Sequence, residues 1–250
     1  MNERKSMLKW FLALATTLML PLSPAQAATY VLVHGAWGTV HAYDGTAAAL
    51  RAKGHKVYVV ALKGLGTRVA ERAPGITLTD HITDVVKVID DHKLHDIILV
   101  GHSYGGMIIT GVAAKRAANI RTLVYLDAFL PRDGEALWDI ATDFERKHYI
   151  DAQRGSPGLV GPLPFPGIDP ALRHPLLTLL EPIHTSGDEH LVKNHSYVYA
   201  DHGAPATFKK FYDRAAADPT WRTLVLNSSH MVMFDQPEAL NAFLLEEANR

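Results

Sequence analysis

Residues 97–112 read IILVGHSYGGMIITGV. An apolar, β-branched run stops at Gly101-His102-Ser103-Tyr104-Gly105, and apolar character resumes from Gly106 with a different period. The segment therefore reads as strand, tight turn and helix, with the pattern G-x-S-x-G at the reversal. Gly101 and Gly105 leave room where a Cβ would collide with neighbouring backbone. Ser103 is expected to sit strained at the tip, with its Oγ exposed. The first N–H groups of the following helix would lie beneath a substrate oxygen, where the helix dipole favours negative charge.

Similar runs recur along the chain at Thr29–Val33, Lys56–Val60, Asp96–Val100, Arg121–Leu126, Ser196–Tyr199 and Arg222–Leu226. Most are apolar on consecutive positions, as a strand covered on both faces requires. Thr46–Lys53, Thr79–His92, Tyr104–Ala118, Ala206–Ala217 and Pro237–Ala248 carry helical spacing between or after these runs. The expected architecture is a six-stranded, mostly parallel sheet with helices on both faces. Residues 130–194 break the rhythm with dense Pro and Gly and short helical pieces such as Ala136–Arg146 and Pro170–Leu180. This stretch is expected to be a mainly helical cap inserted into a core made of residues 28–129 and 195–250.

The 250-residue chain contains no cysteine, which excludes disulfides, a thiol nucleophile and thiolate metal sites. Its 25 basic and 26 acidic side chains nearly cancel and form no long basic run, so neither nucleic acid nor an anionic membrane is an expected partner. A small, roughly neutral ligand fits better. Residues 1–27 read as a signal peptide: Arg4, Lys5 and Lys9 precede an apolar stretch from Trp10 to Leu22, and Ala25-Gln26-Ala27 has the small residues of a cleavage site. Its 13 residues are too few to span a bilayer, which takes about 20. The expected location is periplasmic or secreted.

A serine hydroxyl needs a base within hydrogen-bond reach. Of the 14 histidines, His230 is the best placed, because it follows the last strand and so reaches the same carboxyl edge of the sheet as Ser103. His102 lies too close to Ser103 in the chain and His34 opens the loop after the first strand, so both read as structural. That loop, His34-Gly35-Ala36-Trp37, offers the Ala36 N–H to pair with that of Tyr104 around an oxyanion. His184, Asp188, His190, His195 and Asp201 are dense, but their spacing matches no helical ligand pair and no metal is expected.

His34-Gly35-Ala36-Trp37, Gly64-Leu65-Gly66-Thr67-Arg68, Gly101–Gly106, Leu126-Asp127-Ala128-Phe129-Leu130-Pro131 and Ser229-His230-Met231-Val232-Met233 together resemble the α/β-hydrolase superfamily. More narrowly they are similar to the esterase branch of plant methylesterases, hydroxynitrile lyases and small bacterial carboxylesterases. The resemblance implies Ser103 as nucleophile, His230 as base, Ala36 and Tyr104 as oxyanion donors, and no cofactor. The acid departs from the pattern. In the methylesterase and lyase relatives it follows the penultimate strand, where YVYADHGAP places Gly203, with Asp201 two residues earlier. Asp127, at the end of the strand after the nucleophile's helix, where haloalkane dehalogenases and some lactonases resemble it in carrying their acid, is preferred because its strand ends at the catalytic edge and no slippage of alignment is needed; Asp201 is the alternative. The lyases also have threonine at the position of Gly35 and lysine at that of Met231, which favours hydrolysis of a small to medium, partly apolar ester through an acyl-enzyme. Lyase chemistry and a small-molecule receptor are the rival readings. Trp37, Tyr43, Phe129, Trp138 and Phe165 are candidate pocket residues.

Overall fold

The computed structural model describes residues 27–164, 168–202 and 206–250. In chain order the strands are β1 (Thr29–Val33), β2 (Lys56–Val60), β3 (Ile97–His102), β4 (Ile120–Leu126), β5 (Leu159–Val160), β6 (His174–Pro175), β7 (Asn194–Ala200) and β8 (Trp221–Leu226). Six of them form one parallel sheet in the order β2-β1-β3-β4-β7-β8, while β5 and β6 pair separately as an antiparallel ribbon. The helices are α1 (Asp44–Ala52), α2 (Leu78–Asp91), α3 (Gly105–Arg116), α4 (Leu137–Ile140), α5 (Asp143–Ala152), α6 (Leu177–Leu180), α7 (Ala206–Ala216), α8 (Val232–Asp235) and α9 (Pro237–Glu247).

The alternation of strand side chains assigns the layers. Ile97 and Leu99 of β3 share a core with Val85 and Ile89 of α2, Ile108 and Val112 of α3, and Phe208 and Phe211 of α7. Ile98 and Val100 face the other way and pack with Leu50 of α1 and Leu240 and Leu244 of α9. Every residue of β3 is buried. This two-sided burial explains why its sequence shows continuous apolarity rather than alternation.

All six sheet strands run in one direction, so the loops after β1, β3, β4 and β8 leave at the same edge. That edge is where open α/β sheets place their ligands. The stretch between β4 and β7 contains α4, α5, the β5–β6 ribbon, α6 and a short 3-10 turn at Asp188–Leu191. The ribbon adds a strand pairing to a stretch expected to be mainly helical. Each of its strands is two residues long, too short to leave a period in the sequence.

Candidate active site

The turn after β3 has the geometry its glycines suggested. Ser103 adopts φ +55°, a left-handed conformation uncommon for a residue with a Cβ. A Cβ on Gly101 would stand 2.6 Å from the Gly105 carbonyl oxygen, and one on Gly105 would stand 2.8 Å from that of Val33. The third glycine serves a neighbouring element: a Cβ on Gly106 would lie 2.0 Å from the Phe129 carbonyl oxygen, so α3 packs directly against the chain leaving β4. The strained serine is held from several sides. Its N–H donates to the Leu126 carbonyl at 3.3 Å, and its own carbonyl accepts from Gly106 at 3.0 Å and Phe129 at 3.1 Å.

Asp127 follows β4 directly and is also left-handed, with φ +41°. Its side chain is fully buried, so its oxygens need partners. Oδ1 accepts the Ala200 N–H at 3.1 Å, and Oδ2 lies 2.6 Å from Nδ1 of His230. The backbone is fixed as well, because the Asp127 N–H donates to the Val198 carbonyl at 2.7 Å. Asp201 is elsewhere: it is 38% exposed and pairs with its neighbour His202 at 2.9 Å.

His230 is oriented on three sides. Besides Asp127, its ring stacks on Phe208 with centroids 4.8 Å apart and planes 12° from parallel. The His102 ring lies 4.4 Å away, and His102 Nε2–H donates to the His230 carbonyl at 2.8 Å. Burial holds the His102 pKa well below its ordinary value, so it adds no positive charge beside His230 at neutral pH. Burial also lowers His34, to about 4; its Nδ1–H donates to the Gly35 carbonyl at 2.9 Å.

A cavity of about 390 Å³ opens over this edge and is lined by Ser103, His230, Ala36, Tyr104, Trp37 and Phe129. Gly38 N–H bonds the Gly35 carbonyl, and the Gly106 and Met107 amides serve the Ser103 and Tyr104 carbonyls. Among the described residues, the amides of Ala36 and Tyr104 have no such partner. The Tyr104 side chain is fully buried, and its O–H donates to His81 Nδ1 at 3.0 Å.

The remaining expected pocket residues divide. Trp37 is anchored by an indole N–H bond to the Val160 carbonyl at 2.9 Å. Tyr43 is corrected: it is fully buried in the core on the α1 and α9 side of the sheet, with its hydroxyl on the Val33 carbonyl, and does not line the cavity. Trp138 is corrected too, since it packs half-buried against the other core outside the cavity lining. An aromatic residue near a loop at this edge carries no sequence mark of the direction its side chain takes. Phe165 and residues 1–26 lie outside the described residues. The lining also includes Leu137, Glu145, Tyr149, Leu163, Leu179 and Phe208, for which sequence reasoning had no signal because helical core and helical pocket residues share one spacing. Among the described residues, no group of His, Asp and Glu could hold a metal ion, and no helix is long and apolar enough to cross a membrane.

Comparison with known proteins agrees with this architecture. A carbendazim-hydrolysing esterase of Nocardioides sp. (strain SG-4G) is 36% identical over 233 residues, covering 85% of this chain and 96% of the esterase. Salicylic acid-binding protein 2 of Nicotiana tabacum is 33% identical over 103 residues, 41% of this chain and 40% of that protein. An extracellular α/β-hydrolase from a Paenibacillus species, described as sharing structural and functional homology with the tobacco protein, superposes with a TM-score of 0.78 at 26% identity, covering 88% of this chain and 98% of that one. The pattern of the α/β hydrolase family matches residues 30–243. The chain belongs to the α/β-hydrolase family.

Proposed function

We propose that this protein hydrolyses carboxylic esters by acyl transfer through Ser103, with His230 as base, Asp127 as the acid that orients it, and the N–H groups of Ala36 and Tyr104 as oxyanion donors. The observation that carries the reading is the 2.6 Å contact of buried Asp127 with His230 Nδ1, in a cavity that His230 shares with Ser103. With Nδ1–H given to Asp127, Nε2 is the basic nitrogen. It takes the Ser103 proton as Oγ attacks the ester carbonyl, and the resulting imidazolium is stabilised by the carboxylate. The proton then passes to the leaving alcohol. Water, deprotonated by the same histidine, releases the acid and restores Ser103.

The Nocardioides relative is an esterase, which supports this reaction class. Two positions favour hydrolysis over cyanohydrin cleavage. Met231 brings no positive charge beside His230 to hold a departing cyanide. A side chain at position 35 would begin 2.8 Å from the Ser103 Cβ, so the threonine of the lyases has no room there. The cavity's lining is mainly apolar, which supports an ester with an aliphatic or aromatic part. We read residues 130–194 as the cap that shapes it, and residues 1–27 as an export signal cleaved just before β1, which implies a periplasmic or secreted enzyme. The test is turnover of p-nitrophenyl acetate and butyrate beside mandelonitrile. Ester turnover is expected to fall about 10⁶-fold in Ser103→Ala; cyanide release without ester turnover refutes the reading.

A further inference from the structure

Glu145 is the one carboxylate of α5 that is almost wholly buried, at 3% exposure, and it lines the cavity. Its two oxygens differ. Oε2 accepts the Thr142 N–H at 2.6 Å, the Thr142 hydroxyl at 2.8 Å and, across to α7, the Thr207 hydroxyl at 3.1 Å. This oxygen closes the capping box of α5 and ties the inserted segment to the core. Oε1 has no partner among the described residues. Lys210, the nearby cation, gives its ammonium to the Ile140 carbonyl at 2.7 Å. The cavity it opens into is mainly apolar, with Leu137, Tyr149, Leu163 and Phe208 in the lining, and Tyr149 has its ionisation suppressed by burial and then by the Glu145 charge.

A helix cap requires one oxygen, and Glu145 already supplies it with Oε2. An acceptor that opens into a mainly apolar cavity becomes costly once a bound molecule displaces water from it, unless that molecule completes its hydrogen bond. A site built to meet a donor also rejects analogues that lack one, because the acceptor is then left bare.

We propose that Glu145 Oε1 is the specificity-determining acceptor of the pocket, and that the preferred ester carries a hydrogen-bond donor, N–H or O–H, on an otherwise apolar body. This rests on the hydrolase reading above. In the occupied site Oε1 would take the donor while the ester carbonyl sits at Ser103. The role is positioning and recognition, with no proton transferred by Glu145.

Three methyl esters of one shape test it: methyl 4-(aminomethyl)phenylacetate, methyl 4-(hydroxymethyl)phenylacetate and methyl 4-ethylphenylacetate, compared by kcat/KM from acid release in a pH-stat. The wild type is expected to favour a donor ester over the ethyl ester by about tenfold or more. In Glu145→Gln the amide oxygen can keep the cap and turn an NH₂ toward the cavity, so the ratio should fall to about one or invert. A ratio between two substrates of one preparation is insensitive to the fraction folded. If Glu145→Gln gives no folded protein, Glu145→Asp serves, since Asp80 occupies the same position in the capping box of α2; it withdraws the carboxylate by one methylene and should also lower the ratio. Preference for the ammonium ester alone assigns a cationic substrate, and preference for both donor esters shows that a neutral donor suffices. Equal rates for all three in the wild type, or a preference that survives both substitutions, overturn the proposal. If no ester is turned over, the hydrolase reading fails separately. Calorimetric binding of the same three esters to Ser103→Ala then decides: donor esters binding about tenfold tighter only when Glu145 is present support the role, and equal binding refutes it.

Discussion

The carboxyl edge of the sheet and the segment inserted above it are built by opposite rules. At the edge, Trp37, Ser103 and Asp127 all hold positive φ, at 56°, 55° and 41°, in loops of only a few residues after long buried strands. Each strained residue is overdetermined by neighbours, as Ser103 is by the backbone bonds to Leu126, Gly106 and Phe129. The insertion instead uses α4 and α6, each of four residues, and a ribbon of two-residue strands. Such elements gain little from their own periodicity and depend on side-chain ties such as Trp37 to Val160 and Thr207 to Glu145. The positions of Ser103, Asp127 and His230 are set at the edge, and the shape of the cavity is set largely by the insertion.

That division is sharpest at Asp127. Asp127→Asn keeps the size of the side chain but forces the wrong His230 tautomer, so kcat is expected to drop about 10⁴-fold in ester hydrolysis while thermal unfolding changes little. A drop of less than tenfold would break the assignment of the edge as the chemical centre.

The buried histidines His34, His102 and His174 should also govern acid stability. His34 titrates near 4 when folded but near 6.5 when unfolded, and His102 and His174 are depressed by burial as well. Between those values the unfolded chain binds more protons, so stability rises with pH across the window and is level above about 6.5. His34 alone should remove about 3 kcal/mol by pH 4, read as the urea midpoint against pH. His34→Gln is expected to flatten part of that slope.

Changes in the insertion should instead move substrate binding. Leu163→Ala, at a buried position lining the cavity, is expected to raise KM for aryl esters by roughly tenfold with kcat nearly unchanged. A matching loss in kcat would show that the insertion also positions the reacting atoms. The smallest effect belongs to Asp201→Asn: with this carboxylate exposed and, among the described residues, paired to its neighbour His202, activity should stay within about twofold of wild type.

The legibility of the chain follows the same division. The six sheet strands were readable because burial on two faces writes an uninterrupted apolar run. Their ends were less so: β3 begins at Ile97 because Asp96 has φ +55°, and continues to His102, whose polar side chain hides its pairing with Leu126. Gly101, Gly105 and Ser103 were readable because the turn imposes steric demands that few residues meet. In the insertion, the single helix expected over Ala136–Arg146 is two, broken at Ala141 and Thr142 and restarted by the Thr142–Glu145 capping box. That T-x-x-E signal was present in the sequence. Tyr43 and Trp138 were misplaced because a lone aromatic carries no mark of the face it will bury.

Asp127 takes its bearings from β7, through the Val198 carbonyl and the Ala200 N–H, although 66 residues separate it from the start of that strand at Asn194 in the chain. Lengthening, shortening or exchanging the intervening loop therefore need not displace the carboxylate, because its moorings lie on the adjoining strand of the sheet. A lineage can swap the upper chamber to suit new compounds while inheriting the Asp127–His230 contact intact.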